Sequence, residues 1–119
     1  MHIYDTFCEH LLNSRGSADA LKWINSALSN KPRTIGSLDT DDTKYIVGYV
    51  IAKGALRTRV LGDHDVIHTY GSADALLIDL PDDPFLRSEL FEIENQVASE
   101  TGFDATFDEG QRYLFIRWK

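Results

Sequence analysis

Cysteine, proline and long apolar runs are scarce in this sequence of 119 residues. The single cysteine, Cys8, excludes a disulfide bond within the chain and is typical of proteins from reducing compartments. The apolar runs are far shorter than the roughly 20 residues that cross a bilayer. The first residues also lack the basic and apolar regions of a signal peptide. We therefore expect a soluble, cytoplasmic protein with no membrane partner.

Recognisable motifs for catalysis and cofactor binding are also missing. The sequence has no Gly-x-Ser-x-Gly nucleophile elbow and no glycine-rich phosphate loop before a predicted helix. Cys8 lies on the apolar stripe of a predicted helix, where a cysteine is more often inert than nucleophilic. We predict no catalytic residue, no cofactor and no metal site, and we expect a binding protein rather than an enzyme.

What the sequence does contain is enough apolar material for one domain and an uneven distribution of charge. Hydrophobic residues make up 43% of the chain and aromatic residues 11%, which is typical of a globular domain spanning residues 1–119. The net charge is -7, but residues 1–60 carry eight bases against six acids, whereas residues 61–119 carry thirteen acids against four bases. The second half therefore has a charge of -9 and the first half +2.

Hydrophobic periodicity predicts an α+β fold with the element order α-α-β-β-β-β-α-β-β. Two short amphipathic helices come first, and Ser17 is a candidate N-cap for the second. An antiparallel or mixed sheet of five to six strands follows, with helices mainly on one of its faces. The predicted helices span residues 3–12, 18–29 and 84–101, and the predicted strands span residues 44–52, 56–60, 66–70, 75–80, 103–107 and 113–118.

Two of these assignments depend on particular patterns. In residues 44–52 both alternating sets of side chains are apolar, which is typical of a central strand, and the preceding residues 30–42 are interpreted as a polar loop. In residues 72–80 a strand is favoured, although a short helix capped by Ser72 is left open.

The third predicted helix has the clearest boundaries in the chain. Asp83 at the N-cap and Pro84 at the first helical position satisfy free backbone donors and preset the backbone angle. Leu86, Leu90, Ile93 and Val97 then form an apolar stripe, and Gly102 is a left-handed cap.

A hexapeptide occurs twice, as residues 16–21 and again as residues 71–76. The flanking residues are not similar, and the hexapeptide is a common turn-and-cap sequence. We interpret it as coincidence or as reuse of a cap rather than as a duplication.

The only local cluster of titratable groups is Asp63, His64, Asp65 and His68. On a helix the histidines would form the i, i+4 pair of many zinc sites, but the neighbouring residues favour a strand, which would hold alternate side chains ~7 Å apart. A hairpin turn with exposed histidines is the favoured interpretation. An enzyme or ligand-binding domain that uses these four residues is the alternative.

A weaker candidate site lies on the second predicted strand. Arg57 and Arg59 alternate along it and would share one exposed face. Beside Tyr45 and Tyr49, this pair could bind an anionic group.

The acidic half carries the leading functional hypothesis. From Asp63 to Glu109 there are thirteen acids and one base, Arg87, a charge of -12 that folding does not require. We predict a small acidic protein-binding module, an inhibitor or adaptor, that places this face on a basic surface of a partner. The residues predicted to contact the partner are Asp82, Asp83, Glu89, Glu92, Glu100, Asp108 and Glu109.

The same charge disfavours direct nucleic-acid binding, because nucleic-acid phosphates are usually bound by Lys and Arg. One form of the hypothesis is a phage or mobile-element inhibitor of host nucleic-acid machinery, and another is an acidic secretion-type chaperone. Both rest on size and charge alone. A homodimer is left open.

Overall fold

A four-stranded antiparallel sheet with helices on both faces organises the chain, as seen in a computed structural model that describes residues 2–26 and 32–119. The strand order is β1-β3-β5-β6, and a short parallel pair, β2 with β4, lies apart from this sheet. The strands are β1 (Gly16–Asp19), β2 (Thr34–Ile35), β3 (Arg57–Gly62), β4 (Ser72–Ala73), β5 (Ala75–Asp79) and β6 (Tyr113–Arg117). The α-helices are α1 (Ile3–Ser14), α2 (Ala20–Ile24), α3 (Thr40–Ala52) and α4 (Pro84–Thr101), and Val66–Tyr70 forms one π-helical turn.

This architecture confirms the α+β class, while the number and order of elements differ from the prediction. The main sheet has four strands rather than five or six. No helix of the described ranges is both long and apolar enough to cross a membrane.

The inner strand β5 is buried on both faces, which explains why all of its residues but the last are apolar. Leu76 and Ile78 belong to a core shared with α2, α3 and α4. Ala75 and Leu77 lie in a second, smaller cluster with Cys8 of α1. Helices therefore cover both faces of the sheet, three on one face and α1 on the other, because alternate side chains of a strand point to opposite sides. The strand assignment for residues 75–80 is thereby confirmed.

Helix α1 also protects one edge of the sheet. The buried Asp5 carboxylate accepts hydrogen bonds from the backbone amides of Arg112, at 2.9 Å, and Tyr113, at 3.0 Å. The hydroxyl of Tyr4 accepts a third from the amide of Phe115, at 2.8 Å. An open strand edge is a template for association with other strands. The side chains of Asp5 and Tyr4 accept hydrogen bonds that the edge amides could otherwise donate to a strand of another molecule.

The stripe predicted for the first helix is only partly buried. Cys8 is fully buried, as expected, but Ile3 is 84% exposed and Phe7 is half exposed. Asp5 is the other buried residue of α1, because its carboxylate has the amides of β6 as partners.

The predicted central strand at residues 44–52 is wrong, because this segment is helix α3. Asp39 is the N-cap and its carboxylate accepts a hydrogen bond from the amide of Asp42, at 2.8 Å. Thr43, Val47 and Val50, at helical spacing, are the buried residues. The segment resembled a strand buried on both faces because several of its apolar residues are exposed on the other side of the helix. Part of the predicted loop at residues 30–42 is in fact β2 and the first turn of α3.

Two further predicted strands are also wrong. Residues 66–70 form the π-helical turn, which ends at Gly71 with a left-handed φ of 71°. Residues 103–107 form no strand. The amide of Thr106 donates its hydrogen bond to the carboxylate of Glu94, at 3.0 Å, rather than to a neighbouring strand. The second predicted strand extends to Gly62, and only its first residue, Arg57, is exposed, so it has no wet face.

Helix α4 has the boundaries that the sequence predicts. The carboxylate of Asp83 accepts hydrogen bonds from the amides of Phe85 and Leu86, at 2.9 and 3.0 Å, and Pro84 begins the helix. Gly102 ends it with a φ of 83°. The final predicted strand is likewise confirmed as β6.

The two copies of the hexapeptide adopt different structures on either side of β3. In the first, residues 16–19 are strand β1, and Asp19 rather than Ser17 caps α2. The helix itself covers Ala20–Ile24, and the predicted residues 27–29 lie outside the described ranges. In the second copy, residues 72–73 are β4 and residues 75–76 begin β5. The same six residues therefore take the conformation that their neighbours impose.

Candidate functional site

Helices α3 and α4 form the two walls of a groove of about 560 Å³. Its lower part is apolar, with Ile46 from α3 and Ile93 from α4. Its sides are polar and acidic, and three of the acids are among those predicted to contact a partner. The acidic residues of the groove are Asp42, Glu89, Glu92 and Glu100.

Two tyrosines of α3 form the aromatic part of this groove. Tyr45 and Tyr49 are one helical turn apart, and their rings stack with centroids 5.7 Å apart and planes 20° from parallel. Tyr45 is 68% exposed and Tyr49 is 37% exposed. Because a tyrosine ring presents a negative face, a stacked and accessible pair is suited to contact a cation.

A lysine of the chain already makes this kind of contact at the groove. The ammonium of Lys53 lies 5.3 Å from the centroid of the Tyr49 ring and 3.4 Å from the Glu89 carboxylate. The hydrogen bond to Glu89 and the charge of that group raise the pKa of Lys53, so the lysine is held in its charged form. A carboxylate and a tyrosine ring together thus form a place for one cation.

The other two glutamates of α4 in this groove have no basic partner among the described residues. Glu92 and Glu100 are exposed, and Gln96 between them donates a hydrogen bond to Glu100 at 3.4 Å. Asp42 of α3 is also exposed, so the described lining of the groove has four acids and no base, and Lys53 pairs with one of these acids. Three of the four carboxylates are therefore not neutralised by this lysine.

The remaining predicted contact residues lie around the beginning of α4, where most are bound within the protein. Asp82 and Asp83 are both exposed, and the carboxylate of Asp83 caps the helix. Asp108 accepts a bidentate pair of hydrogen bonds from Arg87, at 2.7 and 3.1 Å. These bonds lower the pKa of Asp108. Glu109 lies 3.4 Å from the ring of His2.

Two acids of the negative half are internal and do not contribute to its surface. Asp79 is buried and pairs with Arg59, at 3.3 Å. Glu94 is buried and accepts hydrogen bonds from the amide of Thr106. The structure thus divides the acidic half into internal, paired and free carboxylates, a division that net charge does not reveal.

Known proteins offer no guide to the role of this groove. No family model matches the chain, and no curated protein or solved structure is similar enough to count as a match. The function of the chain therefore has to be inferred from the geometry of its own residues.

The two arginines predicted to bind an anion are not equivalent. Arg57 is exposed at the start of β3, whereas Arg59 is buried and paired with Asp79. Arg112 lies 3.5 Å from the same Asp79 carboxylate. Tyr45 and Tyr49, expected beside these arginines, instead line the groove between α3 and α4.

The cluster of Asp63, His64, Asp65 and His68 forms a capped turn. Its histidine rings are 4.7 Å apart and 61° from parallel, which corresponds to the i, i+4 geometry rather than the strand geometry. The Asp63 carboxylate accepts hydrogen bonds from the amide of Asp65, at 3.0 Å, and from that of the next residue. Within residues 2–26 and 32–119, no group of three or more His, Cys, Asp and Glu side chains is arranged to hold a metal ion.

Cys8 is a buried thiol in the core under α1. Burial raises its pKa from 9.0 to about 12, with a smaller contribution from the nearby Asp5. The thiol is therefore protonated at neutral pH, when it is a poor nucleophile.

Sequence reasoning missed Asp42, Tyr45 and Tyr49 as members of the site. It placed the tyrosines on a strand and treated Asp42 as part of a loop. The sequence feature that could have indicated helix α3 is the run of Asp39, Thr40, Asp41 and Asp42. It consists of a helix N-cap followed by an acidic first turn. Had the helix been assigned, Tyr45 and Tyr49 would have been placed one turn apart on one face.

Proposed function

We propose that this protein is an acidic docking module that binds a basic segment of a partner protein in the groove between α3 and α4. It acts as an inhibitor or adaptor by occupying the basic surface that contains this segment. The observation that carries the proposal is the stacked pair Tyr45 and Tyr49 in one groove with Glu92 and Glu100, which form no ion pair in residues 2–26 and 32–119.

The chemistry of the groove favours arginine and lysine side chains as occupants. Their long apolar stems can pack on Ile46 and Ile93, while their charged ends reach the tyrosine rings and the carboxylates. The contact of Lys53 with Tyr49 and Glu89 is an internal example of such a cation. A volume of about 560 Å³ accommodates a few side chains rather than a whole folded domain.

The charge of the groove also limits the alternatives. The carboxylates of the groove would repel the phosphate groups of a nucleic acid, so the partner in this proposal is a protein. A symmetric homodimer would have to use another surface, because two copies of this groove would bring like charges together. The proposed compartment is the reducing cytoplasm, because the chain has a single cysteine.

The proposal can be tested with a fluorescent peptide of alternating arginine and glycine, titrated with the protein and followed by anisotropy. We expect binding to weaken as salt rises from about 0.05 M to about 0.3 M, because screening shortens the reach of the carboxylates. Replacement of both tyrosines, Tyr45→Ala with Tyr49→Ala, should weaken binding without any change of charge. A peptide of alternating glutamate and glycine should not bind.

A matched pair of charge reversals separates the groove from general electrostatic attraction. Glu92→Lys with Glu100→Lys should reduce affinity by about tenfold or more, equivalent to ~1.4 kcal/mol. Asp65→Lys with Asp104→Lys changes the net charge equally at exposed residues that do not line the groove. Equal losses in the two double variants, or binding that survives loss of both tyrosines unchanged, would refute the proposal.

A further inference from the structure

The outer side of helix α1 is apolar although it faces solvent. Ile3 is largely exposed, and Phe7, one turn later, is half exposed. Leu11, a further turn along, is only partly buried. The solvent-facing side of a helix normally carries polar residues, and an apolar patch left at the surface of a protein commonly marks a place of interaction. We call these three residues the outer stripe.

Phe7, at the middle of the outer stripe, is fixed by strand β6. Its ring meets that of Phe115 edge to face, with centroids 6.2 Å apart and planes 75° from parallel. Phe115 is itself only partly buried, and its backbone amide donates to the hydroxyl of Tyr4. The two rings therefore form a preorganised surface, which loses little side-chain freedom when it binds.

Two hollows flank this aromatic pair. The first, toward the C-terminal end of α1, measures about 120 Å³ and includes Leu11 in its lining, so we call it the Leu11 hollow. The second, toward the N-terminal end, measures about 270 Å³ and includes Tyr4 and Phe103, so we call it the Tyr4 hollow. Both are smaller than the ~300–1,000 Å³ of most ligand pockets. They fit single side chains of another protein better than a small molecule.

The Leu11 hollow is basic. It is lined by three basic side chains and one acid, namely Arg15, Arg117, Lys119 and Asp74. Arg15 pairs with Asp74, at 2.6 Å. Arg117 and Lys119 are exposed, and neither forms an ion pair within residues 2–26 and 32–119. Two positive charges therefore remain at this end of the outer stripe.

The other end of the outer stripe is acidic. The lining of the Tyr4 hollow has two acids, Glu94 and Asp104, and shares the base Arg117 with the Leu11 hollow. The exposed Glu109 lies beside the residue that caps the start of α1. Charge therefore changes sign along the helix, from acidic near Ile3 to basic beyond Leu11.

A two-fold axis that crosses α1 at Phe7 would match these features with one another. Ile3 and Leu11 each lie four residues from Phe7, which is ~6 Å along the helix. In an antiparallel pair of α1 helices, the protruding Ile3 of each copy therefore meets the Leu11 hollow of the other copy. The same rotation brings the basic end of each copy to the acidic end of the other. Such self-complementarity is what a symmetric dimer interface requires.

We infer that the protein forms a symmetric homodimer through α1, with Phe7 at the two-fold axis and the outer stripe buried between the two copies. The centre of the interface is apolar, and at its rim Lys119 of one copy faces Glu109 of the other. The interface is small, so we expect a dissociation constant on the order of 10 μM. Helices α3 and α4 cover the opposite face of the sheet, so their groove stays open and the inference does not rest on the proposed function.

Sedimentation equilibrium of the whole protein, without any peptide, measures this association directly. Over a range from about 1 μM to about 500 μM we expect a monomer–dimer equilibrium in which the dimer is the largest species. A protein that stays monomeric over this range would overturn the inference. Assemblies larger than a dimer would overturn it as well, because a two-fold contact closes on itself.

The first variant, Ile3→Asp, places a charge in the Leu11 hollow of the other copy. Ile3 begins α1, where an acidic residue is favourable, so the unfolding temperature of the dilute monomer should change little. Dimerisation should weaken by about tenfold or more. Leu56→Asp makes the same change at an exposed apolar residue outside both hollows and should leave dimerisation unchanged. Equal effects of the two variants would contradict the inference.

Charge reversal at the rim tests the antiparallel arrangement. Lys119→Glu and Glu109→Lys should each weaken dimerisation by about threefold to tenfold, because like charges then meet in the dimer. A chain that carries both substitutions again brings opposite charges together, and it should recover most of the lost affinity. Failure of the double variant to recover would show that these two ends do not meet, which would refute the two-fold relationship.

Discussion

The ammonium of Lys53, just after α3, lies 3.4 Å from the carboxylate of Glu89 on α4. This ion pair links the two walls of the proposed docking groove and occupies one of its four acids. The chain's own lysine therefore competes with any incoming cation for Glu89 and for the face of Tyr49.

Removing this competitor should strengthen binding of a basic peptide. In Lys53→Gln the carboxylate of Glu89 and the ring face of Tyr49 become available, and we expect the affinity for the arginine–glycine peptide to rise by about threefold. Anisotropy titration measures the effect. Arg57→Gln removes the same charge at a residue outside the groove, and a similar increase in both variants would attribute the gain to net charge alone.

Loss of Asp5 should destabilise the edge of the sheet strongly. Asp5→Ala leaves the buried amide of Tyr113 and the partly buried amide of Arg112 without their acceptor. At ~1–3 kcal/mol for each unsatisfied group, we expect the free energy of unfolding to fall by about 3 kcal/mol. Urea denaturation measures this loss, and Asp5→Asn, which retains one acceptor oxygen, should lose less.

The exposed Asp65 provides the control for this edge. Its carboxylate makes no hydrogen bond or ion pair in the described ranges, so Asp65→Ala should change the free energy of unfolding by less than about 0.5 kcal/mol. Equal effects of Asp5→Ala and Asp65→Ala would show that the edge amides find other partners.

Alkaline pH should destabilise the protein through Cys8. Burial raises the pKa of its thiol to about 12, whereas the unfolded chain loses this proton near 9.0. Between these values the folded state binds more protons than the unfolded state, so stability falls as pH rises, by ~1.4 kcal/mol per pH unit for one group. Burial also raises the pKa of Tyr4, which extends the same trend above pH 10.0.

The variant Cys8→Ala isolates the part due to the thiol. It should be less stable at neutral pH because of the small cavity it creates. Above pH 9.0, however, its free energy of unfolding should decline less steeply than that of the unsubstituted protein. Denaturation by urea at a series of pH values compares the two slopes, and parallel slopes would exclude a buried titrating thiol.

Arg87 and Asp108 should contribute unequally to stability. Arg87 donates to Asp108 and also to the carbonyl oxygens of Pro81 and Gln111, at 3.2 and 2.8 Å. Arg87→Ala removes all of these bonds and should cost about 2 kcal/mol. Asp108→Asn removes only a partly exposed charge and should cost less than about 1 kcal/mol. Urea denaturation at neutral pH compares them.

Acidification provides an independent check on the same pair. The pKa of Asp108 is lowered in the folded state, so its contribution is present above the ordinary value of 3.8 and is lost as pH falls below it. The difference in stability between the unsubstituted protein and Asp108→Asn should therefore shrink at acidic pH. A difference that stays constant would show that the charge of Asp108 is not involved.

Local chemistry made helix α4 predictable. Asp83, Pro84 and Gly102 act through the backbone beside them, so the helix boundaries follow from neighbouring residues alone. Strand β5 was also predictable, because burial on both faces requires an unbroken apolar run.

Helix α3 was not predictable from periodicity, because apolar and aromatic residues lie on more than one of its faces. Val47 and Val50 face the core, while the exposed Tyr45 and Tyr49 line the groove. In the sequence an apolar residue at the surface cannot be distinguished from a core residue. Such residues stand where an amphipathic helix would have polar ones, so the helical periodicity is obscured. The apparent two-residue period of residues 44–52 arose from this overlap.

The sequence by itself determined the α+β class, the boundaries of α4 and the concentration of acids after Gly62. Each depends on composition or on contacts between neighbours in the chain. Only the tertiary structure decided which acids are free, since Asp79 and Glu94 find internal partners that are distant in sequence. It also decided that Glu92 shares a groove with Tyr45 and that Arg33 is buried. Burial and charge pairing are properties of positions in space, and the chain reveals them only after it has folded.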